Sequence, residues 1–334
     1  MTKQSKRLLW QIPFLLFLVV ATFLIIRQRQ TTPFQRDSGF IFGTMYNVTY
    51  QSSNNLKAEI EAELKKVDAS LSMFNEQSTL SKINRNESVE TDDMFREVFS
   101  IAQNISKETD GNFDITVAPL VNTWGFGFKH DAFPDSAKVD SLRMLVGFEK
   151  VKIVKGKVEK QNPQMIIDFG AIAKGYGCDI VARLLNKRGV DNFLIEIGGE
   201  VVAKGLNPEQ QKWRIGVAKP TDDSLATSNE LQTVLSLSNV AMATSGNYRN
   251  FYYKDGKKYA HTINPKTGYP VQQNILSATV LAPNCATADA FATSFMVMGL
   301  EKAKAVLKRH NELKVYILYI DEKGEQKEWG NFKF

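Results

Sequence analysis

Apolar positions along the chain fall into one long run and then into shorter alternating periods. From Leu8 to Ile26 the sequence is almost continuously apolar, broken only by Gln11, Pro13 and Thr22. As a helix these nineteen residues would span roughly 28 Å, close to the hydrocarbon thickness of a bilayer. Downstream, Gly43 to Tyr50 reads as a first strand. Leu56, Ile60, Leu64, Val67 and Leu71 then recur at helical spacing, and a second helix is predicted from Asp92 to Lys107, with Phe95, Val98, Ile101, Ala102 and Ile105 inward. Val151 to Lys160 predicts a hairpin turning at Lys155–Gly156, and Met165 to Asp168 a short strand end. A helix follows from Ala173 to Arg188, stopped by Gly189, and then a strand from Asn192 to Ile197. Further strands are expected at Trp213 to Val217, Thr233 to Leu237 and Ser277 to Ala282. Hairpins are expected over 248–263, with its turn at 255–256, and over 314–334, and helices at Ala286 to Met298 and Glu301 to His310. The pattern is α+β. It lacks the regular βαβ repeat of a Rossmann or barrel fold.

Charge sharpens the reading of the first run. The chain has 334 residues, 43% of them hydrophobic and 23% charged, with a net charge of +6. Lys3, Lys6, Arg7, Arg27, Arg29 and Arg36 are the only charged residues among the first 36, so they account for the whole excess. The remainder is formally neutral, which removes the charge argument for nucleic acid. A basic start ahead of an apolar span favours a cytoplasmic N-terminus. With no Ala-x-Ala-like site cleanly after the run, an uncleaved signal anchor is expected rather than a cleaved signal peptide. The expected division is 1–37 as N-terminus, anchor and polar linker, and 38–334 as a folded body of two intimately packed lobes. Apolar content excludes disorder, and two Cys in so long a chain exclude a disulfide scaffold. Cys178 and Cys285 are read as buried free thiols.

Four segments carry residues that packing alone does not require. In Ile167 to Tyr176 (IDFGAIAKGY) a carboxylate ends an extended stretch, small residues turn, and Lys174 stands at a helix start. Helix starts present free N–H groups and suit phosphate. An Asp cap and a solvent lysine account for this segment equally well. In Ala288 to Thr293 (ADAFAT), Asp289 and Thr293 lie four apart on a predicted helix and share one face. One Asp and one Thr oxygen suit a hard cation such as Mg²⁺ when phosphates complete its shell. A capped helix with an inward Thr is the simpler account of that pair alone. The third segment joins ATSGNY (243–248) to YAHTINPKTG (259–268) and holds His261 and Thr262 among hydroxyls and glycines. A lone His is more often structural. His130 and His310 read as solvent residues. The fourth, DGNFDITVAPL (110–120), reads as a turn and a short strand.

Taken together and in order, these segments resemble the ApbE family, the FAD:protein FMN transferases. LSMFNEQSTLSKIN (71–84), GNFDITVAPL, DFGAIAKGYGCD, IEIGGE, ATSGNYRNF, HTINPKTG and ADAFAT carry the likeness, and as an ordered set they are specific. The resemblance implies an ApbE-like fold and a Mg²⁺-dependent enzyme. It would cleave the pyrophosphate of FAD, release AMP, and attach FMN by a phosphoester to a Thr of a partner protein. It further implies Mg²⁺ held by Asp289, Thr293 and the Ala171 carbonyl, and Lys174 at the phosphates. FAD contacts are implied at Phe42, Phe74, Asn112, Phe113, Asp114, Asp168 and Thr262, with His261 as base for the acceptor hydroxyl. Acceptors in such a family are flavoprotein subunits of membrane redox complexes, of the sodium-pumping quinone reductase or Rnf type. The expected location is the bacterial inner membrane, single-pass, with the body in the periplasm. Hydrolysis of FAD to FMN and AMP, or FAD binding without chemistry, are the alternatives. The chain departs from the family pattern at Phe42 (usually Met), Phe74 (Tyr), Asn112 (Ala) and Asn264 (Asp).

Overall fold

The structure is a computed structural model and describes residues 3–127, 133–220, 230–247, 251–254, 256–272 and 274–332. It starts with α1 (Lys3–Thr31), then β1 (Phe34–Ile41), β2 (Thr44–Gln51), α2 (Lys57–Leu71), α3 (Thr79–Asn84) and α4 (Asp93–Glu108). Next come α5 (Ala118–Thr123), α6 (Ser136–Arg143), β3 (Val151–Val154), β4 (Lys157–Lys160) and α7 (Ala173–Lys187). Strands β5 (Phe193–Ile197), β6 (Glu200–Lys204), β7 (Trp213–Ala218), β8 (Leu231–Leu237), β9 (Val240–Gly246), β10 (Phe251–Lys254), β11 (Lys257–Ala260) and β12 (Ile275–Ala282) follow. The chain closes with α8 (Cys285–Met298), α9 (Leu300–Leu307), β13 (Lys314–Ile320) and β14 (Gln326–Gly330).

Eight strands form one sheet in the order β1-β2-β5-β6-β9-β12-β13-β14, antiparallel throughout. Helices α7 and α8 cover one face. Phe291 and Phe295 of α8 pack with Ala278, Val280 and Ala282 of β12, and Val181 and Leu185 of α7 pack with Phe193, Ile195 and Ile197 of β5. The β7–β8 hairpin covers the other face, setting Trp213, Val217, Leu235 and Leu237 against Val201, Met242, Leu281 and Leu318. Central strands buried on both faces lose the period-2 signal of a half-exposed strand. Strand β9, buried at three successive positions and rich in small residues, accordingly shows no such period.

Several expectations are corrected. The polar linker expected over 27–37 is instead the end of α1 and the start of β1, an edge strand paired with β2 from Phe34 to Ile41. Met165 to Asp168 is extended but joins no strand, and residues 110–120 turn directly into α5 without a strand. The long apolar run is helical, but among the described residues no helix is long and apolar enough to cross a membrane. The membrane span expected over 8–26 is therefore not supported by the described residues. Within 11–25 the apolar side chains, such as Phe14, Phe17 and Phe23, are exposed. Tyr248 and Asp255 of the expected hairpin lie outside the described residues; β10 and β11 form its arms.

Candidate functional site

The site begins at the β1–β2 turn. Phe42 and Gly43 both take positive φ (52° and 74°), the geometry of a two-residue hairpin that twists with its strands. The Phe42 ring turns back onto α7, where Gly177 makes room for it: a Cβ there would stand 2.7 Å from a ring carbon. Phe42, Leu71, Met73, Phe74, Asp168 and Lys174 line a cavity of about 200 Å³. Phe74, 82% exposed, forms its rim. A larger cleft of about 660 Å³ between β8 and the ends of β12 and β13 contains none of the candidate residues, so the chemistry assigns the smaller one.

Behind the cavity, α7 and α8 meet at their N-terminal ends. Gly175 is required there, because a Cβ would come within 2.4 Å of the Cys285 carbonyl oxygen. Asp179 of α7 accepts the Cys285 and Ala286 N–H groups at 2.8 and 2.9 Å, satisfying two free donors of the α8 start. Asn284 caps the same end by accepting the Thr287 N–H at 2.9 Å. This pairing brings Asp289, 3% exposed, beside α7, where it accepts the Gly175 N–H at 3.2 Å. Among the described residues no backbone donor reaches the Ala171 carbonyl. Thr293, one turn beyond Asp289, shares a 3.0 Å hydrogen bond with Ser245 of β9.

Lys174 donates to Glu200 Oε1 at 2.6 Å. Burial alone would push its ammonium down, but the Asp289 and Glu200 carboxylates outweigh burial and hold it above the ordinary lysine range. Burial raises Asp289, and the Lys174 ammonium opposes that rise. Burial also pushes Asp168 up, against the pull of the Gly170 N–H it accepts at 2.7 Å. Lys174 thus stands beside two carboxylates at the start of α7, where helix N–H groups can face an anion.

Hydrogen bonds tie the remaining segments to this centre. Thr262 donates to Asn247 Oδ1 at 2.7 Å, and Asn247 follows β9 two residues after Ser245. His261, half-buried, stands between Thr262 and the end of β11, with the Phe126 ring 6.4 Å away edge-on. Asp168 donates its N–H to the Ile115 carbonyl at 2.7 Å, joining the first and fourth segments. Asn112, Phe113 and Asp114 are buried but do not line the 200 Å³ cavity. The Asp114 carboxylate accepts from the Thr116 N–H, the Thr116 hydroxyl and the Phe148 N–H at 2.8, 2.6 and 2.9 Å, so its bonds hold the loop together. Asn264 accepts the Lys266 and Thr267 N–H groups at 2.9 and 3.2 Å, which an Asp would do equally well.

Cys178 and Cys285 are buried and unbridged. His310, expected in solvent, is largely covered: it contacts Glu312 and Glu108, and its ring lies 5.2 Å from that of Phe291 on α8; His130 lies outside the described residues. Glu200, Ser245 and Asn247 belong to the site although nothing in the spacing assigned them roles; only the Gly-Gly-Glu and Thr-Ser-Gly-Asn runs marked them. Among the described residues no group of three or more His, Cys, Asp or Glu side chains is arranged to hold a metal. Asp289, Thr293 and the Ala171 carbonyl offer a carboxylate, a hydroxyl and a carbonyl. These are hard oxygens that fit Mg²⁺ and would suit a softer metal poorly.

The antiparallel α+β body thus holds a largely apolar cavity lined by Phe42, Phe74 and, from the start of α7, Lys174. The ApbE family profile matches residues 42–317, and the chain belongs to that family. It is 38% identical over 304 residues to the FAD:protein FMN transferase of Haemophilus influenzae, covering 86% of this chain and 87% of that protein. The Vibrio cholerae FAD:protein FMN transferase is 36% identical over 298 residues, with 86% and 88% covered. The solved structure of the flavin transferase ApbE from Vibrio cholerae has a TM-score of 0.80 at 35% identity, covering 89% of this chain and 97% of that one. The apo flavinyl transferase ApbE from Pseudomonas stutzeri has a TM-score of 0.78 at 29% identity, with 89% and 94% covered.

Proposed function

We propose that this chain is a Mg²⁺-dependent FAD:protein FMN transferase that attaches FMN through a phosphoester to a Thr of a partner flavoprotein and releases AMP. The observation that carries it is the meeting of Lys174 and Asp289 at the paired starts of α7 and α8, directly behind an apolar cavity. Asp289, Thr293 and the Ala171 carbonyl would hold Mg²⁺, which when bound neutralises the diphosphate and the departing AMP. Lys174 binds and orients the phosphates. Phe42 and Phe74 offer apolar faces to the flavin, and Asp168 offers a carboxyl at the cavity wall. His261 takes the proton of the acceptor Thr hydroxyl as its oxygen bonds to the FMN phosphorus. The bond from that phosphorus to the bridging oxygen breaks, and AMP leaves with the oxygen.

The acceptors are read as flavoprotein subunits of membrane redox complexes, of the sodium-pumping quinone reductase or Rnf type. The exposed apolar side chains of α1 and its flanking basic residues support attachment to the bacterial inner membrane through lipid contact, with the body in the periplasm. The test is incubation of the purified protein with FAD, Mg²⁺ and a Thr-containing acceptor. A flavin-fluorescent acceptor band is expected. AMP released equally fast without acceptor would instead mark a pyrophosphatase, and FAD left intact would mark a binding protein.

A further inference from the structure

Glu200 opens β6 after the Gly198–Gly199 turn, where both glycines take positive φ (60° and 105°). It is 4% exposed. One oxygen, Oε1, accepts from Lys174, while Oε2 is buried with no hydrogen-bond partner among the described residues. A buried carboxylate with an unsatisfied oxygen is costly, and an apolar residue would be the cheaper filling for this position. Its placement is informative. Two carboxylates, Glu200 and Asp289, lie in the field of one ammonium, and the ion pair forms with Glu200. The Asp289 carboxylate accepts instead from the Gly175 N–H.

We propose that Glu200 is a positioning residue that holds the Lys174 ammonium away from Asp289 and so leaves the Asp289 carboxylate available to a divalent cation. Glu200 itself touches neither metal nor nucleotide; it acts through Lys174. The proposal rests on the Mg²⁺ reading above. With Glu200 uncharged, the ammonium's remaining buried counter-charge is Asp289, and Lys174 competes with the metal for it. A role confined to joining α7 to β6 would lower stability and leave metal affinity alone.

The test reads binding of Mn²⁺, as a spin-active stand-in for Mg²⁺, to the full-length protein by electron paramagnetic resonance, without turnover. Glu200→Gln is expected to raise the Mn²⁺ dissociation constant roughly 10–100-fold, as loss of a ligand's supporting contact does elsewhere. Adding Lys174→Gln to that variant is expected to bring it back to within about threefold of wild type, since the competitor is then gone. Unchanged affinity in Glu200→Gln overturns the proposal. So does a double variant as weak as the single one, because Glu200 would then act by its own charge. Wild type that binds no Mn²⁺ overturns the Mg²⁺ reading and this inference with it. Should Glu200→Gln fail to fold, Glu200→Asp replaces it. Its shorter reach is expected to weaken Mn²⁺ binding by a smaller factor that Lys174→Gln again removes, and no weakening overturns the proposal.

Discussion

The side-chain amide of Asn84 stands in for a β-strand neighbour of Ile167. Its Nδ2 donates to the Ile167 carbonyl at 2.8 Å and its Oδ1 accepts the Ile167 N–H at 2.9 Å. The segment 165–169 is thereby held extended without entering a sheet, and Asp168 is presented at the cavity wall. Asn84→Ala leaves both backbone groups of Ile167 without this partner. A loss of about 1–3 kcal/mol in unfolding free energy is expected, together with weaker FAD binding. Denaturant unfolding and flavin fluorescence titration check the two effects. Full FAD affinity in the variant would show that the 165–169 segment keeps its shape without Asn84.

The same relationship shows where sequence reading succeeds and where it stops. The helix at 173–187 and the shared face of Asp289 and Thr293 are legible because helical spacing is local and survives any tertiary setting. The extended form of 165–168 is legible too, but its partner is a side chain 83 residues away, so a strand was the natural reading. Strand β1 was hidden for a different reason: its polar residues suit an edge facing solvent as well as they suit a linker. The role of Glu200 could not be read, since it depends on the approach of β6 to α7.

At the junction of the two helices, Gly175→Ala is expected to force α7 and α8 apart, because its Cβ would meet backbone that cannot rotate away. Overpacking of this kind costs roughly 1–3 kcal/mol. It should also separate Lys174 from Asp289, so activity should fall more than the lower melting temperature alone explains. A variant that melts earlier yet turns over normally would show that the junction is not part of the catalytic geometry.

Asp179 gives a pH dependence with a defined sign. Burial pushes its carboxyl from the ordinary 3.8 up to about 6, against the pull of the Cys285 and Ala286 N–H groups. Between those two values the folded state holds more protons than the unfolded one, so this group's contribution to stability declines as pH rises from about 4 to about 6. Asp179→Asn removes that titration. Its melting temperature should therefore change less steeply than that of wild type across this window. Parallel curves from calorimetric scans in matched buffers would rule out Asp179 as the source.

Asp289 supplies the one carboxylate of the donor set proposed for Mg²⁺. Asp289→Ala should lower turnover at least ~100-fold, the effect of withdrawing several kcal/mol of charge stabilisation from the phosphoryl transfer. Thr293→Val should act in the same direction and also break the hydrogen bond to Ser245. Raising the Mg²⁺ concentration should recover part of the Thr293→Val loss, because a ligand has been weakened rather than a charge removed. Retained activity in Asp289→Ala would place the metal elsewhere.

In the proposed reaction His261 serves the acceptor half. Its neighbour Thr262 bonds to Asn247 at the end of β9, on the side of the proposed Mg²⁺ donors, and His261 does not line the cavity proposed for the flavin. His261→Ala should therefore leave FAD affinity within about twofold of wild type, as expected for independent sites. Transfer to the acceptor Thr should drop by roughly 10²–10⁴, the usual contribution of a positioned base. Because a hydroxyl cannot ionise unaided near neutral pH, the residual transfer rate in the variant should climb with pH where wild type levels off. Single-turnover assays that follow flavin fluorescence on the acceptor across pH 6 to 10 distinguish the cases. A variant with weakened FAD binding and an unaltered pH profile would reassign His261 from proton acceptor to a wall of the nucleotide site.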